Sequence, residues 1–323
     1  MLILLSPIYA FGLYLRGLVY ALGIRRVYRP PVRTVCVGNI TAGGTGKSPL
    51  VELVAAEIHA LGRKAAVVRR SSVGGLFPMD LSDEAEVFAE NVPDVTQVSE
   101  RDKLSAVKRA CGSNPDIVLV DDGFQTISFA RDLDVVTVDA TAPFGNGFLL
   151  PGGTLREPKS ALSRAGAVVL TRCEIVGDED REKLKEEIGK LTDAAVFEAS
   201  FEVSEIMNLQ GDRQLDPSFL ERTKVFAFCG IGNPEGFFAT LKGMGCDVAG
   251  VKRFRDHHTY SSEDVSALED GAEACGAEVL VTTQKDAVRL RRIGGLHEEA
   301  YFLKVRLDVT DRERLLDMIM SAS

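Results

Sequence analysis

Short apolar runs alternate with segments of helical periodicity along most of the chain, as in parallel strands joined by helices. In the first half the apolar runs predict buried strands at Val35–Val37, Lys64–Arg69, Asp116–Val120, Leu133–Val138 and Ala167–Thr171. A second series begins at Lys224 and continues with strands near Val248 and at Val279–Thr283. The pattern predicts an α/β protein with a doubly wound, mostly parallel sheet and a second, smaller α/β domain.

Two stretches alternate between apolar and polar residues in a way that is typical of extended chain. They are Ala195–Leu209 and Tyr301–Leu307, and they separate the two strand–helix series. We therefore expect a two-stranded hinge, with strands near 200–209 and 301–307. The predicted domains are an N-terminal helix at 1–30, a nucleotide-binding domain at 31–200 and a C-terminal domain at 201–323.

The N-terminal stretch Met1–Ile24 is apolar apart from Arg16, and Arg25, Arg26 and Arg29 follow it. An apolar body next to clustered arginines is typical of a helix in the membrane interface, with the arginines on anionic head groups. A buried core helix and a true membrane span are the alternatives.

The charge is unevenly distributed along the chain, since no Asp or Glu precedes Glu52. The whole chain carries a net charge of −9, which argues against a nucleic-acid partner.

A glycine-rich loop between the first apolar strand and a helix predicted at Lys47–Ala60 has the layout of a phosphate-binding loop (P-loop). Its candidate nucleotide-binding residues are Thr41, Gly43, Gly44, Thr45, Gly46, Lys47 and Ser48. Lys47 would reach the β- and γ-phosphates, and the Ser48 hydroxyl would reach Mg²⁺. Thr41 stands where the consensus has its first glycine, so a glycine-rich turn before an ordinary helix is the alternative.

An acidic pair, Asp121 and Asp122, follows the buried strand that ends at Val120. Carboxylates at the C-terminal end of a parallel strand, beside a phosphate-binding loop, are placed to hold Mg²⁺. The alternative is a solvated turn. The six cysteines form no C-x-x-C pair, which indicates reduced core cysteines. None of the four histidines stands at metal-ligand spacing beside a cysteine, which argues against a zinc site.

Six stretches occur in a fixed order: VGNITAGGTGKSP, DDGFQ, FGNGFLLPGGTLREP, GIGNP, RDHHTY and TQKDAV. Together with the apolar, basic N-terminus they resemble the tetraacyldisaccharide 4′-kinase family of lipid A biosynthesis over nearly the whole chain. The resemblance implies a kinase that moves the γ-phosphoryl group of ATP, with Mg²⁺, to the 4′-hydroxyl of an acylated glucosamine disaccharide 1-phosphate. It also implies a peripheral or monotopic position on the cytoplasmic face of the inner membrane.

The resemblance assigns further roles to individual residues. Arg156 and Glu157 match an Arg-Glu pair expected near phosphates and metal, so Glu157 joins Ser48, Asp121 and Asp122 as a candidate metal ligand. Asp83 and His257 match an Asp–His pair of the family. Here the family's G-D-E-P reads Ser82-Asp-Glu-Ala85, and Thr126 replaces the histidine that ends D-D-G-x-Q-H.

The resulting hypothesis is that Lys47, the loop amides and Mg²⁺ hold the triphosphate, with Asp121 and Asp122 at the metal. His257 would accept the proton of the sugar hydroxyl, and Asp83 would orient its imidazole. We expect these two residues to come from different domains, so that domain closure assembles the site. A helix-capping loop with exposed histidines is the alternative for Asp256–His258.

Two other functions fit parts of the sequence. A membrane-associated P-loop switch ATPase would hydrolyse ATP to change partners, but such proteins often carry a lysine where this chain has Ala42. A soluble small-molecule kinase would use the N-terminal segment only as core.

Overall fold

The structure, a computed structural model, describes residues 2–70, 81–294 and 299–321. Its α-helices are α1 (Ser6–Ala21), α2 (Lys47–Ala60), α3 (Leu81–Asn91), α4 (Lys103–Gly112), α5 (Asp178–Gly189), α6 (Pro234–Gly243), α7 (Ser262–Cys275), α8 (Gln284–Arg291) and α9 (Arg312–Met320). Its strands are β1 (Arg33–Gly38), β2 (Ala65–Arg70), β3 (Thr96–Glu100), β4 (Ile117–Asp121), β5 (Leu133–Asp139), β6 (Ala167–Thr171), β7 (Ala195–Asn208), β8 (Gln214–Leu215), β9 (Lys224–Cys229), β10 (Asp247–Arg253), β11 (Val279–Thr283) and β12 (Ala300–Val309). Short 3-10 helices lie at Leu2–Leu5, Lys159–Arg164, Cys173–Ile175 and Pro217–Leu220.

Two compact units divide the chain. Unit 1 comprises Met1–Pro78, Asn91–Phe201 and Leu307–Ser323, and unit 2 comprises Met79–Glu90 and Glu202–Arg306. The sheet of unit 1 has the strand order β7-β6-β5-β1-β4-β2-β3, and its paired strands are parallel. β1 lies at the centre between β4 and β5, so its C-terminal end is the switch point where a doubly wound sheet binds ligands.

Unit 2 has the strand order β10-β9-β11-β12-β7, with β8 antiparallel to β7. The residues of β9 alternate between two apolar clusters: Val225 and Ala227 face one, and Phe226 and Phe228 face the other. Both faces of this sheet are therefore buried, as in doubly wound folds. The prediction of an α/β fold with a mostly parallel sheet is confirmed.

The unit boundaries fall inside β7 and β12, the two predicted hinge strands. β7 and β12 are neighbours in the sheet. Within unit 2, Ser204 Oγ donates to the Lys304 carbonyl at 3.1 Å, and Arg306 Nη2 lies 2.9 Å from Glu202 Oε2. The predicted pairing of the two extended stretches is therefore present.

The division into units departs from the predicted domain boundaries at two places. Most of α3 belongs to unit 2 rather than to the nucleotide-binding domain, because its acidic side chains pair with basic residues of α8. Glu84 meets Lys285 at 2.6 Å, and Glu90 meets Arg291 at 2.7 Å. α9 belongs to unit 1, where Arg33 donates to the carbonyls of its last turn.

Helix α1 and the 3-10 turn before it form an apolar rod from Leu2 to Ala21, long and apolar enough to cross a membrane. The rod has a mean hydropathy of 1.7, and 6% of it is buried within the structure. One stripe of large apolar side chains faces outward along the helix: Leu4, Ile8, Phe11, Leu15, Leu18 and Leu22. The opposite stripe lies on unit 1 through Ser6 and Tyr9.

Candidate active site

The loop between β1 and α2 is held in shape by its own polar side chains. Asn39 Nδ2 donates to the Thr41 carbonyl at 2.7 Å and to Thr45 Oγ1 at 2.9 Å. Thr45 Oγ1 also lies 2.7 Å from Thr137 Oγ1 on β5. Thr41 and Thr45 are buried. Thr45 therefore holds the loop through its hydroxyl and Thr41 through its backbone carbonyl.

Glycines supply the backbone conformations that the loop needs. Gly43 has a φ of 120° and Gly46 a φ of 80°, both in the region that disfavours residues with a Cβ. A Cβ on Gly46 would also approach Thr171 Cγ2 to 3.0 Å. Gly44 is exposed, and its carbonyl accepts from Arg172 Nη2 at 3.0 Å. The exposed part of the loop is therefore mostly backbone, as a phosphate-binding surface requires.

Helix α2 begins at Lys47, where the sequence predicted it. Its first turn directs free N–H groups and partial positive charge toward the end of β4. Lys47 Nζ lies 3.7 Å from Asp122 Oδ1, and Ser48 Oγ lies 3.5 Å from Asp121 Oδ2. The two key loop side chains thus meet the predicted acidic pair.

Asp121 is the last residue of β4 and is buried. Besides Ser48, its Oδ2 accepts from Arg69 Nε at 3.2 Å. Ser48 and Asp121 supply hard oxygen ligands of the kind Mg²⁺ prefers. Over residues 2–70, 81–294 and 299–321, no cluster of three or more His, Cys, Asp or Glu side chains is arranged to hold a metal alone. A metal at Ser48 and Asp121 would therefore need further ligands from phosphate or water.

Three cations converge on Asp122. Arg156 Nη1 donates to both carboxylate oxygens, at 2.9 and 3.0 Å, and Lys47 approaches one of them. Lys103 Nζ donates to the Asp122 carbonyl. Burial raises the pKa of Asp122, but the charges of Lys47, Lys103 and Arg156 lower it by more, so its pKa lies below the usual value. The site carries more positive than negative charge around this one carboxylate.

The DDGFQ motif places the acidic pair through close packing. A Cβ on Gly123 would lie 2.7 Å from Cys36 Sγ, so only a glycine lets the chain after β4 approach β1 so closely. Phe124 is fully buried, and Gln125 Nε2 donates to the Asn39 carbonyl at 2.7 Å. The motif therefore ties the end of β4 to the phosphate-binding loop.

Glu157, a predicted metal ligand, is buried between two arginines. Arg164 Nη2 lies 2.7 Å from Glu157 Oε2, and Arg16 Nη2 lies 3.6 Å from Oε1. The structure thus places the Arg156–Glu157 pair beside the phosphate-binding loop. It directs Arg156 to Asp122 and pairs Glu157 with Arg164 and Arg16, which compensate the charge of Glu157 without a metal.

Asp83 and His257 both lie in unit 2, which corrects the expectation that they come from different domains. Arg289 connects them. Its Nε donates to Asp83 Oδ2 at 2.6 Å, and its Nη2 lies 3.4 Å from His257 Nδ1. Arg292 Nη2 lies 2.8 Å from the other Asp83 oxygen. Asp83 is therefore a buried carboxylate with two arginine partners.

Arg289 also binds the end of β9 and the start of α8. Its Nη1 donates to the Gly230 carbonyl at 2.9 Å and to Asp286 Oδ1 at 3.1 Å. Asp286 is fully buried and accepts from Tyr260 Oη at 3.0 Å and from Thr283 Oγ1 at 2.6 Å. Burial raises the pKa of Asp286 above its ordinary value, against the opposing effects of Thr283 and Arg289.

The two neighbouring histidines have different environments. His258 Nε2 lies 3.0 Å from Asp264 Oδ2, and its ring stacks on Phe254 with centroids 4.6 Å apart. Asp264 belongs to the capping box of α7 together with Ser261. His257 has a φ of 58° and lies against Arg289 instead. The geometry thus gives His258 the helix-capping role and leaves His257 as the candidate for chemistry.

Sequence reasoning missed Arg69, Lys103 and Arg289. Lys103 opens α4 directly after the N-cap residue Asp102, so its sequence context is that of an ordinary helix start. Arg289 lies three residues after Asp286 on α8, and this helical spacing is the one signal that could have indicated their pairing.

A doubly wound sheet with a phosphate-binding loop at its switch point and an acidic pair on the adjacent strand defines a P-loop nucleotide-binding protein. The surplus of cations around Asp122 is the arrangement expected of a phosphoryl-transfer enzyme.

Comparison with known proteins identifies the family. The model of the tetraacyldisaccharide-1-P 4′-kinase family matches residues 1–323, so the chain belongs to this family. The tetraacyldisaccharide 4′-kinase of Geobacter metallireducens is 37% identical, with 90% of this chain and 88% of the relative covered. That of Syntrophus aciditrophicus is 32% identical, with 98% and 90% covered.

A solved structure has the same fold. LpxK from Aquifex aeolicus, crystallised in complex with ATP, matches with a TM-score of 0.74 at 24% identity, covering 97% of this chain and 96% of that chain. The predictions of the family, of an ATP-dependent kinase and of lipid A biosynthesis are confirmed by these comparisons.

Proposed function

We propose that the chain binds ATP at the β1–α2 loop and transfers its γ-phosphoryl group to the 4′-hydroxyl of a tetraacyldisaccharide 1-phosphate. The observation that carries the site assignment is the convergence of Lys47, Lys103 and Arg156 on Asp122 at the start of α2. Phosphoryl transfer depends on positioning and on neutralising charge, and this cluster supplies both.

In the ATP complex, Lys47 and Arg156 turn from Asp122 to the phosphate oxygens. Both side chains are partly exposed, at 13% and 29%, and the carboxylate that they share is 39% exposed, so the exchange requires no buried charge to lose its partner. The amides at the start of α2 add donors to the same phosphates.

Ser48 and Asp121 are the residues that would hold Mg²⁺ next to those phosphates. Mg²⁺, when bound, neutralises charge on the β- and γ-phosphates. Arg69 keeps Asp121 in place through its 3.2 Å contact with Oδ2. Asp122 would act by holding Lys47 and Arg156 beside the phosphate site until ATP binds.

His257 is the proposed acceptor of the sugar-hydroxyl proton. Arg289 donates toward Nδ1, so in this arrangement the neutral ring carries its proton on Nε2. Once Arg289 no longer donates to Nδ1, this nitrogen of His257 can accept the proton of the sugar hydroxyl. Arg289 keeps Asp83, Asp286 and the Gly230 carbonyl as partners, so the release leaves its charge compensated. Asp83 thus acts by holding Arg289.

Helix α1 places the enzyme at the membrane surface that contains its lipid acceptor. Its outward stripe includes Ile8, 68% exposed, and Phe11, 60% exposed, which is costly in water and favourable in the acyl-chain region. Helix α1 contacts the rest of unit 1 at Ser6 and at Arg16, about 15 Å apart along the axis. Contact with the protein along this length favours a helix lying in the cytoplasmic leaflet over one that crosses the bilayer.

The membrane assignment is tested by the double variant Ile8→Glu/Phe11→Glu. It should shift the protein from the membrane fraction to the supernatant, because two charges then enter the apolar stripe. Ile175→Glu, at an exposed apolar residue elsewhere in unit 1, is the matched control and should leave recovery unchanged. Equal recovery of the double variant and the control would refute membrane binding through α1.

The transfer reaction is tested with purified protein, ATP labelled with ³²P at the γ-phosphate, and detergent-dispersed tetraacyldisaccharide 1-phosphate. Label should enter the lipid when acceptor and Mg²⁺ are both present, and not when either is omitted. Release of labelled phosphate without labelled lipid would contradict the proposal and would favour the switch ATPase.

A further inference from the structure

The inner face of α1 is attached to the segment that carries Arg156 and Glu157. Ser6 Oγ donates to the Leu149 carbonyl at 2.7 Å and accepts from the Gly152 amide at 3.2 Å. Tyr9 Oη donates to the Arg156 carbonyl at 3.0 Å. The 149–157 segment is therefore hydrogen-bonded to the first turn of α1.

The same segment is hydrogen-bonded to the phosphate-binding loop on its other side. The Ala42 amide donates to the Thr154 carbonyl at 2.6 Å, and the Arg156 amide donates to the Ile40 carbonyl at 2.7 Å. Thr41 and Leu155 form an antiparallel bridge. Residues 149–157 are thus a spacer between α1 and the loop that binds phosphate.

Arg156 is the residue where the two attachments meet. Its carbonyl accepts from Tyr9, its amide donates to the loop, and its guanidinium reaches Asp122. Fixing the backbone on both sides of Cα restricts the directions in which the side chain can point. The Tyr9 hydroxyl is therefore one of the groups that set where the Arg156 guanidinium lies.

We propose that Tyr9 is a positioning residue for Arg156, so that the seating of α1 on residues 149–157 sets the geometry of the nucleotide site. The inference rests on the proposed function, because it assigns Arg156 to the phosphates of ATP. It gives α1 a second role besides membrane attachment, since a membrane anchor alone would not need a hydrogen bond to the residue that faces the phosphates.

Tyr14 provides a matched control on the same helix. Tyr9 and Tyr14 are five residues apart, which places them about 140° apart around the helix axis. Tyr14 is 65% exposed on the outward side, whereas Tyr9 is half-buried against unit 1. The same change, Tyr to Phe, removes one hydroxyl at either position and conserves the ring.

The experiment measures ATP affinity of the full-length protein by equilibrium titration, without any lipid acceptor. Tyr9→Phe should weaken ATP binding about three- to tenfold, because Arg156 is less well placed. Tyr14→Phe should bind ATP as the wild type does. Equal affinities of the two variants would overturn the inference.

A double-mutant cycle tests whether Tyr9 acts through Arg156. Once Arg156 is replaced by Met, Tyr9→Phe should change ATP affinity by less than twofold. An additive effect of the two substitutions would show that Tyr9 does not act through the Arg156 side chain, and would overturn the inference. Failure of the wild type to bind ATP would instead refute the proposed function, so the two failures are distinguishable.

Discussion

The cluster around Asp122 in unit 1 and the cluster of Asp83, Asp286 and Arg289 in unit 2 differ in how far they are open to solvent. In unit 1, Asp122 is 39% exposed and the Arg156 side chain 29%. In unit 2, the Asp83 side chain is 1% exposed, that of Asp286 is 0% and that of Arg289 is 6%. Both clusters contain carboxylates held by arginine, yet only the first lies where water and a ligand can replace a partner.

This difference explains the roles we assign to the clusters. Exposed ion pairs are weak, so Lys47 and Arg156 can leave Asp122 for the phosphates of ATP at little cost. Removing one partner of a buried ion pair lowers the free energy of unfolding by several kcal/mol. Arg289 and its carboxylates therefore form a fixed support. We propose that the first cluster exchanges its cations between Asp122 and the phosphates of ATP, and that the second cluster holds His257 in place.

Removing the lysine of the exposed cluster should have the largest effect. Lys47→Ala should reduce kcat for lipid phosphorylation about 100- to 1000-fold, the usual effect of losing one positioned donor to a developing charge. Its unfolding free energy should stay close to that of the wild type, since the pair with Asp122 is partly solvated.

Lys190→Ala is the control for Lys47→Ala. Lys190 is exposed at the end of α5, so its loss should leave both rate and stability unchanged. The assay is the initial rate of labelled-lipid formation at saturating ATP. A Lys47→Ala variant with more than a tenth of the wild-type kcat would contradict the assignment of the phosphate site.

Removing the arginine of the buried cluster should affect stability first. Arg289→Gln leaves Asp83 and Asp286 without a cation that both contact, and should lower the free energy of unfolding by about 3–5 kcal/mol. Urea denaturation followed by circular dichroism measures this change.

Arg291→Gln tests whether burial is the reason for the Arg289 effect. Arg291 lies on the same helix as Arg289 and pairs with Glu90 of α3, but the Arg291 side chain is 23% exposed and that of Glu90 34%. The expected loss is under about 1 kcal/mol. If the two variants lost similar stability, the contrast between a fixed and an exchangeable cluster would fail.

The smallest expected effect is the pH dependence of the contribution that Asp122 makes to the free energy of unfolding. Cations hold the pKa of Asp122 below its ordinary value, so its stabilising effect is present at neutral pH and is lost as the pH falls through the folded-state pKa. The difference in unfolding free energy between the wild type and Asp122→Asn should therefore be larger at pH 7 than at pH 3. Asp193→Asn, at an exposed position on the same unit, should show no such change.

Local sequence was sufficient to predict the phosphate-binding loop. Strand, glycines and helix start lie within about 15 residues, and α2 spans Lys47–Ala60 as the pattern predicted. The acidic pair was predictable for the same reason, because it directly follows an apolar strand whose C-terminal end must lie at the ligand-binding edge of the sheet.

The buried cluster could not be predicted in the same way. Asp83 and Arg289 are 206 positions apart in the chain, and neither lies in an apolar stretch that would predict a buried side chain. The sequence therefore assigned α3 to the nucleotide-binding domain, whereas its ion pairs with α8 place most of it in unit 2. Lys103 was missed because its target is a backbone carbonyl, for which the sequence carries no signal.

The central claim is that the exposed cluster binds ATP and the buried cluster serves the acceptor hydroxyl through His257. The most direct measurement compares ATP affinity and the rate of lipid phosphorylation for His257→Ala. We predict an ATP dissociation constant within about twofold of the wild type and a transfer rate at least 100-fold lower, because a general base contributes to transfer and not to ATP binding. A near-normal transfer rate, or an affinity that falls in parallel with the rate, would contradict the division of roles between the two clusters.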